Sequence, residues 1–199
     1  MEITLFGGAF NPPHLGHLLV IQQAFELIPE LGELWVLPCY RHTFQKQLAP
    51  ASTRLAMTHL LLKNLPPDLT AKVKVETSEI DQKLSGETYI ILQILKQKYP
   101  AHTFSFLMGS DQLPAFTKWG HWQELLNQMP FYIYPRAGYE QPISYPHMTL
   151  LASETQAITN LSSTLIRERI KKRLCLDHLM PKTIVQYIKE NQIYDHLST

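Results

Sequence analysis

The sequence predicts an α/β fold, a doubly wound parallel sheet with helices at the C-terminal end of the chain. Three observations predict it. Short apolar segments alternate with segments of helical periodicity almost throughout the chain. Most of the apolar segments lack a strict polar–apolar alternation, which is typical of strands that helices cover on both faces of a parallel sheet. The 199 residues, 45% of them hydrophobic, are enough for one domain with a substantial core.

Apolar runs and turn residues give the elements in order. We expect strands at residues 2–6, 33–39, 72–80, 103–108, 131–136 and 148–152. We expect helices at residues 17–28, 51–65, 86–99, 122–129, 163–174 and 181–191. Pro29, Pro38, Pro66 and Pro100 each end the element before them, because proline lacks the N–H that would continue a helix or a strand ladder. Pro181 suits the first turn of the last helix.

Composition and charge argue against several functional classes. A formal net charge of +1 is too low for a general nucleic-acid binder, whose surface is usually basic. Cys39 and Cys175 form no CxxC pair or zinc spacing, which favours ordinary reduced thiols. No apolar stretch approaches the ~20 residues of a membrane helix, and Glu2 with the early Gly-Gly and Pro-Pro pairs argues against a signal peptide. We expect a cytoplasmic enzyme or binding protein with no nucleic-acid or membrane partner.

The stretch LFGGAFNPPHLGHLL, residues 5–19, joins the first strand to the first helix. Gly7 and Gly8 allow a sharp turn and a close approach of a ligand to the backbone. The free N–H groups and the partial positive charge of a helix N-terminus attract anions. His14 and His17 lie one helical turn apart, so both imidazoles can donate an N–H to one phosphate, more strongly when protonated. The alternative is a capped loop with two solvent-facing histidines.

The stretch NLSSTLIRERIKKR, residues 160–173, predicts a second helix whose N-terminus is free for an anion. Ser162 or Ser163 can cap this helix. Arg167 lies one turn further along, on the same face as Ser163. The alternative is an ordinary cap at the start of a solvated basic helix. The basic run at residues 169–173 fits a solvated face better than a ligand contact.

These two stretches resemble the two signatures of the nucleotidyltransferase superfamily with HxGH motifs. GGAFNPPHLGH is similar to GG[TS]FDPxHxGH and departs from it at Ala9 and Asn11, where Thr or Ser and Asp are usual. LSSTLIR is similar to [IL]SSTxIR, which holds the β- and γ-phosphates of the triphosphate in such enzymes. The resemblance implies a Rossmann-like fold and a single nucleotidyltransferase domain over residues 1–199, with residues 162–199 as a C-terminal helical portion.

Between these signatures the chain resembles the bacterial nicotinate-nucleotide adenylyltransferase family. The similar segments are TRLAM, GETYIILQILKQKYP, FSFLMGSDQLPAFTKWGHWQELL and FYIYPRAG. The resemblance implies that nicotinic acid mononucleotide and ATP, with Mg²⁺ carried on the ATP, give nicotinic acid adenine dinucleotide and pyrophosphate in NAD biosynthesis. The alternatives are the same chemistry on nicotinamide mononucleotide or another phosphate acceptor, and a non-catalytic nucleotide-binding module. The sequence leaves a homo-oligomer open.

A pyridine mononucleotide also suits residues that follow the later strands. The indole of Trp119 can stack on a pyridinium ring with cation–π character, whereas Trp122 fits core packing better. Main-chain N–H groups near Thr88 and Tyr89, at a helix start, can meet a carboxylate. For Trp119 the alternative is also core packing.

Three further positions have two interpretations each. Asp111 follows a buried strand, and the resemblance places this turn near the adenosine and the shared phosphate, although Asp111 can also simply cap a helix. Arg136 contacts either the nucleotide or a surface carboxylate. In the polar loop after the second strand, His42 and Lys46 are favoured over Arg41 as the groups that reach a substrate phosphate. The alternative is a mobile loop with scattered charges.

The predicted site therefore has three sets of residues. The predicted catalytic residues are His14, His17 and Arg167. The predicted ATP- and phosphate-binding residues are Gly7, Gly8, Ala9, Phe10, Gly16, Gly109, Asp111, Ser162, Ser163 and Thr164. The predicted mononucleotide-binding residues are Asn11, His42, Lys46, Thr88, Tyr89, Trp119 and Arg136. No protein metal ligands are predicted.

Overall fold

The computed structural model describes residues 1–41, 48–140 and 142–194, and it confirms the α/β fold. Six parallel strands form one sheet in the order β3-β2-β1-β4-β5-β6. The strands are β1 (Glu2–Gly8), β2 (Glu33–Pro38), β3 (Val73–Val75), β4 (Thr103–Gly109), β5 (Phe131–Tyr134) and β6 (Met148–Leu150). The helices are α1 (Leu15–Leu27), α2 (Ala51–Leu62), α3 (Pro67–Thr70), α4 (Ser78–Asp81), α5 (Thr88–Lys98), α6 (Trp122–Gln128), α7 (Ser163–Lys171) and α8 (Lys182–Glu190). A 3₁₀ helix (Ser110–Lys118) lies between β4 and α6.

Helices cover both faces of the sheet. On one face, Leu92 of α5 and Phe116 of the 3₁₀ helix belong to the same buried cluster as Leu5 of β1. On the other face, Ile21 of α1 clusters with Phe6, the next residue of the same strand. Successive strand residues thus point into two different cores. This burial on both faces explains why the strands are nearly continuous apolar runs.

A third cluster of buried side chains attaches the C-terminal helices. Met57 and Leu61 of α2 pack with Ile166 of α7 and with Ile184 and Ile188 of α8. The division into one domain at residues 1–199 with a helical portion at 162–199 stays a prediction. In the three described ranges, no helix combines the length and the apolar character that crossing a bilayer requires.

Two predicted segments differ from the structure. The strand predicted at residues 72–80 is only three residues long, and α4 follows it. The cause is Glu76, whose carboxylate accepts a hydrogen bond from the main-chain N–H of Ser78 (2.9 Å) and so turns the chain out of the sheet. After β4 we expected only a turn, where the structure has a 3₁₀ helix that contains Pro114. Short 3₁₀ segments lack the apolar period that identifies an α-helix.

Candidate active site

A cavity of about 330 Å³ opens where the strands end at their carboxyl termini. In a parallel sheet these strand ends share one edge, so loops that are far apart in sequence meet there. Most of the predicted site residues line this cavity. They are Gly7, Gly8, Ala9, Phe10, Asn11, His14, Gly16, His17, Thr88, Gly109, Asp111, Trp119, Arg136, Ser162, Ser163, Thr164 and Arg167.

The two histidines lie at the start of α1. His14 is the N-cap residue, and its main-chain N–H donates a hydrogen bond to Nδ1 of His17 (3.1 Å). Nδ1 of His17 is therefore an acceptor, and the proton of the neutral imidazole is on Nε2. The centroids of the two rings are 3.8 Å apart. Gly16 allows close packing next to the His14 ring, because a Cβ at that position would approach this ring to 3.0 Å.

Both imidazoles are neutral at pH 7. Burial, and to a smaller extent the nearby charge of Arg136, lowers the pKa of His17 to about 3. Burial also holds the pKa of His14 well below its usual range, and the nearness of His17 and Arg136 acts in the same direction. In the described part of the chain, Nδ1 of His14 is buried without a hydrogen-bond partner. The pair thus offers neutral donors to a ligand, and not the protonated donors that bind phosphate more strongly.

The start of α7 is attached directly to the loop after β1. Ser162 is the cap, since its hydroxyl accepts a hydrogen bond from the main-chain N–H of Leu165 (3.2 Å). The hydroxyl of Ser163 donates to the carbonyl of Pro12 (2.8 Å). Arg167 donates from Nη1 to the carbonyl of Asn11 (2.7 Å). The two predicted anion sites, about 150 residues apart in sequence, are therefore one structure.

Asp111 and Arg136 form the side of the cavity next to α7. The guanidinium Nε of Arg136 lies 3.7 Å from the carboxylate Oδ1 of Asp111, and Nη2 donates to the carbonyl of Leu161 (2.9 Å). Gly109 leaves room for this pair, because a Cβ there would lie 2.9 Å from Cδ of Arg136. These contacts place Arg136 beside the predicted phosphate-binding residues, whereas we assigned it to the mononucleotide.

Trp119 and Thr88 belong to the lining of the cavity. The indole of Trp119 packs edge-on against Phe106, with centroids 5.8 Å apart, and it also lines the cavity. Trp122 packs instead against Phe116 and Tyr145, as expected for a core residue.

Tyr89 follows Thr88 in the chain but is not among the described residues that line the cavity. Its ring stacks on His121, with centroids 4.3 Å apart. The prediction for Tyr89 therefore rests on its main-chain N–H, one of the first-turn groups of α5 that have no acceptor within the helix. Its side chain is already engaged outside the cavity.

Comparison with known proteins agrees with this arrangement. The family model described as cytidylyltransferase-like matches residues 5–169. The probable nicotinate-nucleotide adenylyltransferase of Oceanobacillus iheyensis is 34% identical over 194 residues, which cover 97% of this chain and 96% of that protein. The nicotinate-nucleotide adenylyltransferase of Bacillus subtilis is 31% identical over 198 residues, which cover 98% of each chain. This chain belongs to the nicotinate-nucleotide adenylyltransferase family.

Solved structures agree with the family fold. A nicotinic acid mononucleotide adenylyltransferase of Plasmodium falciparum, complexed with NaAD, matches with a TM-score of 0.84 at 22% identity, over 98% of this chain and 97% of that chain. A structure of the Plasmodium protein complexed with APC matches with a TM-score of 0.82. At this identity the matches establish the nicotinate-nucleotide adenylyltransferase fold for this chain.

Asn11, one of the two departures from the HxGH nucleotidyltransferase signature, has a structural role. Its Oδ1 accepts hydrogen bonds from the main-chain N–H of Ala49 (3.1 Å) and from the hydroxyl of Tyr194 (2.7 Å). A main-chain N–H is only a donor, so the oxygen of the amide must face it. We predicted a contact between Asn11 and the mononucleotide. The structure commits the oxygen to protein donors and leaves only the amide nitrogen for a ligand.

Arg54 is a buried residue that the sequence reasoning missed. Its side chain is 0% exposed, and its guanidinium donates to the carbonyls of Ala9 (2.8 Å), Tyr40 (2.9 Å) and Ala49 (2.9 Å). It thereby fixes the loops after β1 and β2 to each other. The sequence contained a signal for the burial of Arg54. It lies on the same helix face as the apolar Met57, at the i+3 spacing of a buried stripe.

Glu79 is the second missed residue. It lines the cavity with 3% exposure, and its Oε1 accepts a hydrogen bond from the main-chain N–H of Tyr40 (3.0 Å). We did not predict Glu79 as a site residue because we expected a strand at this position, where the structure has α4. Arg41 also lines the cavity, whereas His42 and Lys46, the two favoured loop residues, lie outside the described residues.

Proposed function

We propose that this chain joins nicotinic acid mononucleotide and ATP to give nicotinic acid adenine dinucleotide and pyrophosphate. The observation that carries the proposal is the attachment of one helix start to the other inside one cavity, through Ser163 to Pro12 and Arg167 to Asn11. A polyphosphate would fit this space, because two helix N-termini, two imidazoles and a guanidinium surround it. The names of the relatives supply the acceptor, and substrates of this kind fit the cytoplasmic location expected from the sequence.

The proposed reaction is an in-line displacement at the α-phosphorus of ATP. An oxygen of the 5′-phosphate of the mononucleotide forms the new bond to the α-phosphorus. The bond from the α-phosphorus to the bridging oxygen breaks, and pyrophosphate leaves with the electron pair. The attacking phosphate is already ionised, so the protein needs no nucleophile or base. Its contribution is to position the two phosphates and to stabilise the charge that develops.

His17 is the proposed donor to the α-phosphate. With Nδ1 occupied by the His14 main chain, its Nε2–H is the free donor. His14, whose Nδ1 is buried without a partner in the described part of the chain, lies against it. A neutral donor that is fixed before the reaction costs little reorganisation as charge grows on the phosphate. Bound phosphates also favour protonation of both rings, because opposite charges raise the pKa of histidine.

The start of α7 is the proposed site of the leaving pyrophosphate. Within the described residues the main-chain N–H groups of Ser163 and Thr164 have no acceptor, whereas that of Leu165 is bonded to the cap Ser162. The hydroxyl of Ser163 already donates to the carbonyl of Pro12. Arg167 keeps donors beyond those used on Asn11 and Thr164, because a guanidinium has five. The wall formed by Gly109, Asp111 and Arg136 is the proposed adenosine side.

Mg²⁺ enters the proposal as part of the MgATP substrate. Within residues 1–41, 48–140 and 142–194, no group of three or more His, Cys, Asp or Glu side chains could hold a metal ion. The carboxylate of Asp111 is paired with Arg136. A hydrated Mg²⁺ held mainly by substrate phosphates fits such a site. The ion would neutralise charge on the phosphates.

The mononucleotide is proposed to bind between the loop after β2 and the start of α5. Trp119 would stack on the pyridine ring, and the free first-turn N–H groups of Thr88 and Tyr89 would meet the carboxylate of the nicotinate. A carboxamide would place its NH₂ against these donors and bind less well. The geometry therefore favours the acid over the amide.

A panel of acceptors tests the proposal. Pyrophosphate release is measured with ATP, Mg²⁺ and either nicotinic acid mononucleotide, nicotinamide mononucleotide or phosphopantetheine. We expect turnover that is strongest with the acid. Activity only with the amide would refute the assignment of the acceptor. ATP binding without turnover on any acceptor would refute the enzyme and favour a nucleotide sensor.

A further inference from the structure

Glu79 is a cavity-lining carboxylate that the proposed chemistry does not use. It is 3% exposed, and the little surface that it keeps faces the cavity. Asp111, another carboxylate of this lining, is paired with Arg136, whereas Glu79 forms no ion pair within the described residues. A neutral hydrogen-bond donor on the ligand would be a favourable partner for the Glu79 carboxyl group at this position.

The carboxylate of Glu79 is held in one orientation. Its Oε1 accepts the main-chain N–H of Tyr40 (3.0 Å), and the carbonyl of the same Tyr40 accepts Nη2 of Arg54 (2.9 Å). Glu79 and Arg54 thus hold the Tyr40 peptide from its two sides. In the described residues, Oε2 has no hydrogen-bond partner and is not sealed from the cavity. Among the described residues, one oxygen of Glu79 is thus engaged by the protein and the other is open to a ligand.

Glu79 is connected to both ends of the proposed mononucleotide site, to one by a hydrogen bond and to the other along the chain. On one side are Tyr40 and Arg41, in the loop where a substrate phosphate is expected. On the other, the main-chain carbonyl of Glu79 accepts the N–H of Leu84, and the chain continues to Thr88 at the proposed carboxylate site. The group between the phosphate and the ring of a mononucleotide is its ribose.

We infer that Glu79 binds the ribose hydroxyls of the mononucleotide through Oε2. A carboxylate is the usual partner of a ribose diol in nucleotide sites, because it accepts from hydroxyl donors without competing for the phosphates. Arg54 is a positioning residue, since it holds Tyr40 and does not line the cavity. This inference rests on the proposed function only in that the ligand is a ribose mononucleotide.

The test compares nicotinic acid mononucleotide with its 2′-deoxy and 3′-deoxy forms. In the wild-type protein we expect loss of the recognised hydroxyl to lower kcat/KM by about 10- to 100-fold, mostly through KM, as for a buried polar group that is left without its partner. Glu79→Gln keeps an oxygen for Tyr40 but replaces Oε2 with an NH₂ group, which cannot accept a hydrogen bond. We expect it to reduce the preference for the ribose form to a few-fold. Glu79→Ala should abolish this preference.

The matched control is Glu87→Gln, which removes another carboxylate from the lining of the same cavity. It should leave the ratio of ribose to deoxyribose activity as in the wild type. The affinity for ATP, measured by calorimetry, should be unchanged in Glu79→Gln and so report an intact site. Equal ratios in the wild type and in Glu79→Gln would overturn the inference.

Direct binding of the mononucleotides separates this inference from the proposed function. If no acceptor turns over but the ribose form still binds better than the deoxy forms only when Glu79 is present, the proposed reaction fails and the inference stands. If turnover occurs but the ratio of ribose to deoxyribose activity is the same in the wild type and in Glu79→Gln, the inference alone fails. If no mononucleotide binds, both fail.

Discussion

At His17, neighbouring residues decide which nitrogen serves a ligand. The main-chain N–H of His14 occupies Nδ1, and Phe10 lies against the ring, with centroids 4.9 Å apart. Phe10 reaches this position from a left-handed backbone conformation, φ 47°, which is uncommon for a large side chain. The loop after β1 therefore holds the imidazole in place before a substrate arrives. Fixed donors of this kind are the ones that act mainly on the transition state.

Removal of the His17 imidazole should mainly affect turnover. We expect His17→Ala to lower kcat by about 10²- to 10³-fold with a small change in KM for ATP, because the lost hydrogen bond strengthens as charge develops. Steady-state kinetics with nicotinic acid mononucleotide measure this. His59→Ala, at an exposed position on α2, is the control and should behave as the wild type. Near-wild-type turnover of His17→Ala with an unchanged melting temperature would remove His17 from the mechanism.

Between elements, the first loop is held from three directions. Arg54 of α2 binds the carbonyl of Ala9, and Arg167 of α7 binds the carbonyl of Asn11. Tyr194, just beyond α8, donates its hydroxyl to Oδ1 of Asn11. Burial raises the pKa of the Tyr194 phenol, so that this group stays a protonated donor. The C-terminal helices thus support the proposed phosphate site as well as the core.

Tyr194→Phe tests this support. It removes one of two donors to Asn11 in a buried site, so we expect a loss of about 1 kcal/mol in the free energy of unfolding. For a chain of this size that corresponds to a melting temperature lower by about 2–4 °C. We also expect kcat to fall a few-fold because the loop is held less firmly. Tyr187→Phe on α8, where the described residues provide no partner for the hydroxyl, is the control. Equal effects of the two substitutions would contradict a role for the Tyr194 hydroxyl.

The sequence predicts elements and helix starts better than it predicts tertiary partners. Apolar runs identify all six strands, and the glycines, histidines and serines predicted at helix starts line one cavity in the structure. The buried Arg54 was missed because a charged residue is ordinarily solvated, and here three carbonyls replace the water. The bond from Tyr194 to Asn11 joins residues 183 positions apart, which no local pattern encodes.

On the scale of the whole molecule, sheet topology brings the site together and also buries ionisable groups beneath it. Glu79 and His17 both line the cavity, on the β2 and β1 sides. Burial raises the pKa of Glu79 to about 7, against the opposing effects of the Tyr40 N–H and of Arg54. Burial lowers the pKa of His17 to about 3. Burial shifts each group toward its neutral form, but the two shifts make stability depend on pH with opposite signs.

The two contributions should be separable in melting curves between pH 4.5 and 6.5. In this range the folded state keeps a proton on Glu79 that the unfolded state loses as the pH rises, so the contribution of Glu79 to stability falls with pH. The unfolded state instead carries a proton on His17 that the folded state lacks, so the contribution of His17 rises with pH. The pKa of His14 is also lowered, so its contribution to stability rises with pH as that of His17 does. The charged and titratable groups near Glu79 are the guanidinium of Arg54 and the thiol of Cys39.

We therefore expect the melting temperature of Glu79→Gln to rise more steeply with pH than that of the wild type, since the opposing contribution is gone. We expect His17→Gln to show a shallower rise, because it lacks one of the groups that must lose a proton to fold. Calorimetry at constant ionic strength, in steps across this range, measures both slopes. Parallel profiles for the three proteins would show that neither group changes its proton affinity on folding, and that the cavity is more hydrated than its burial in the structure indicates.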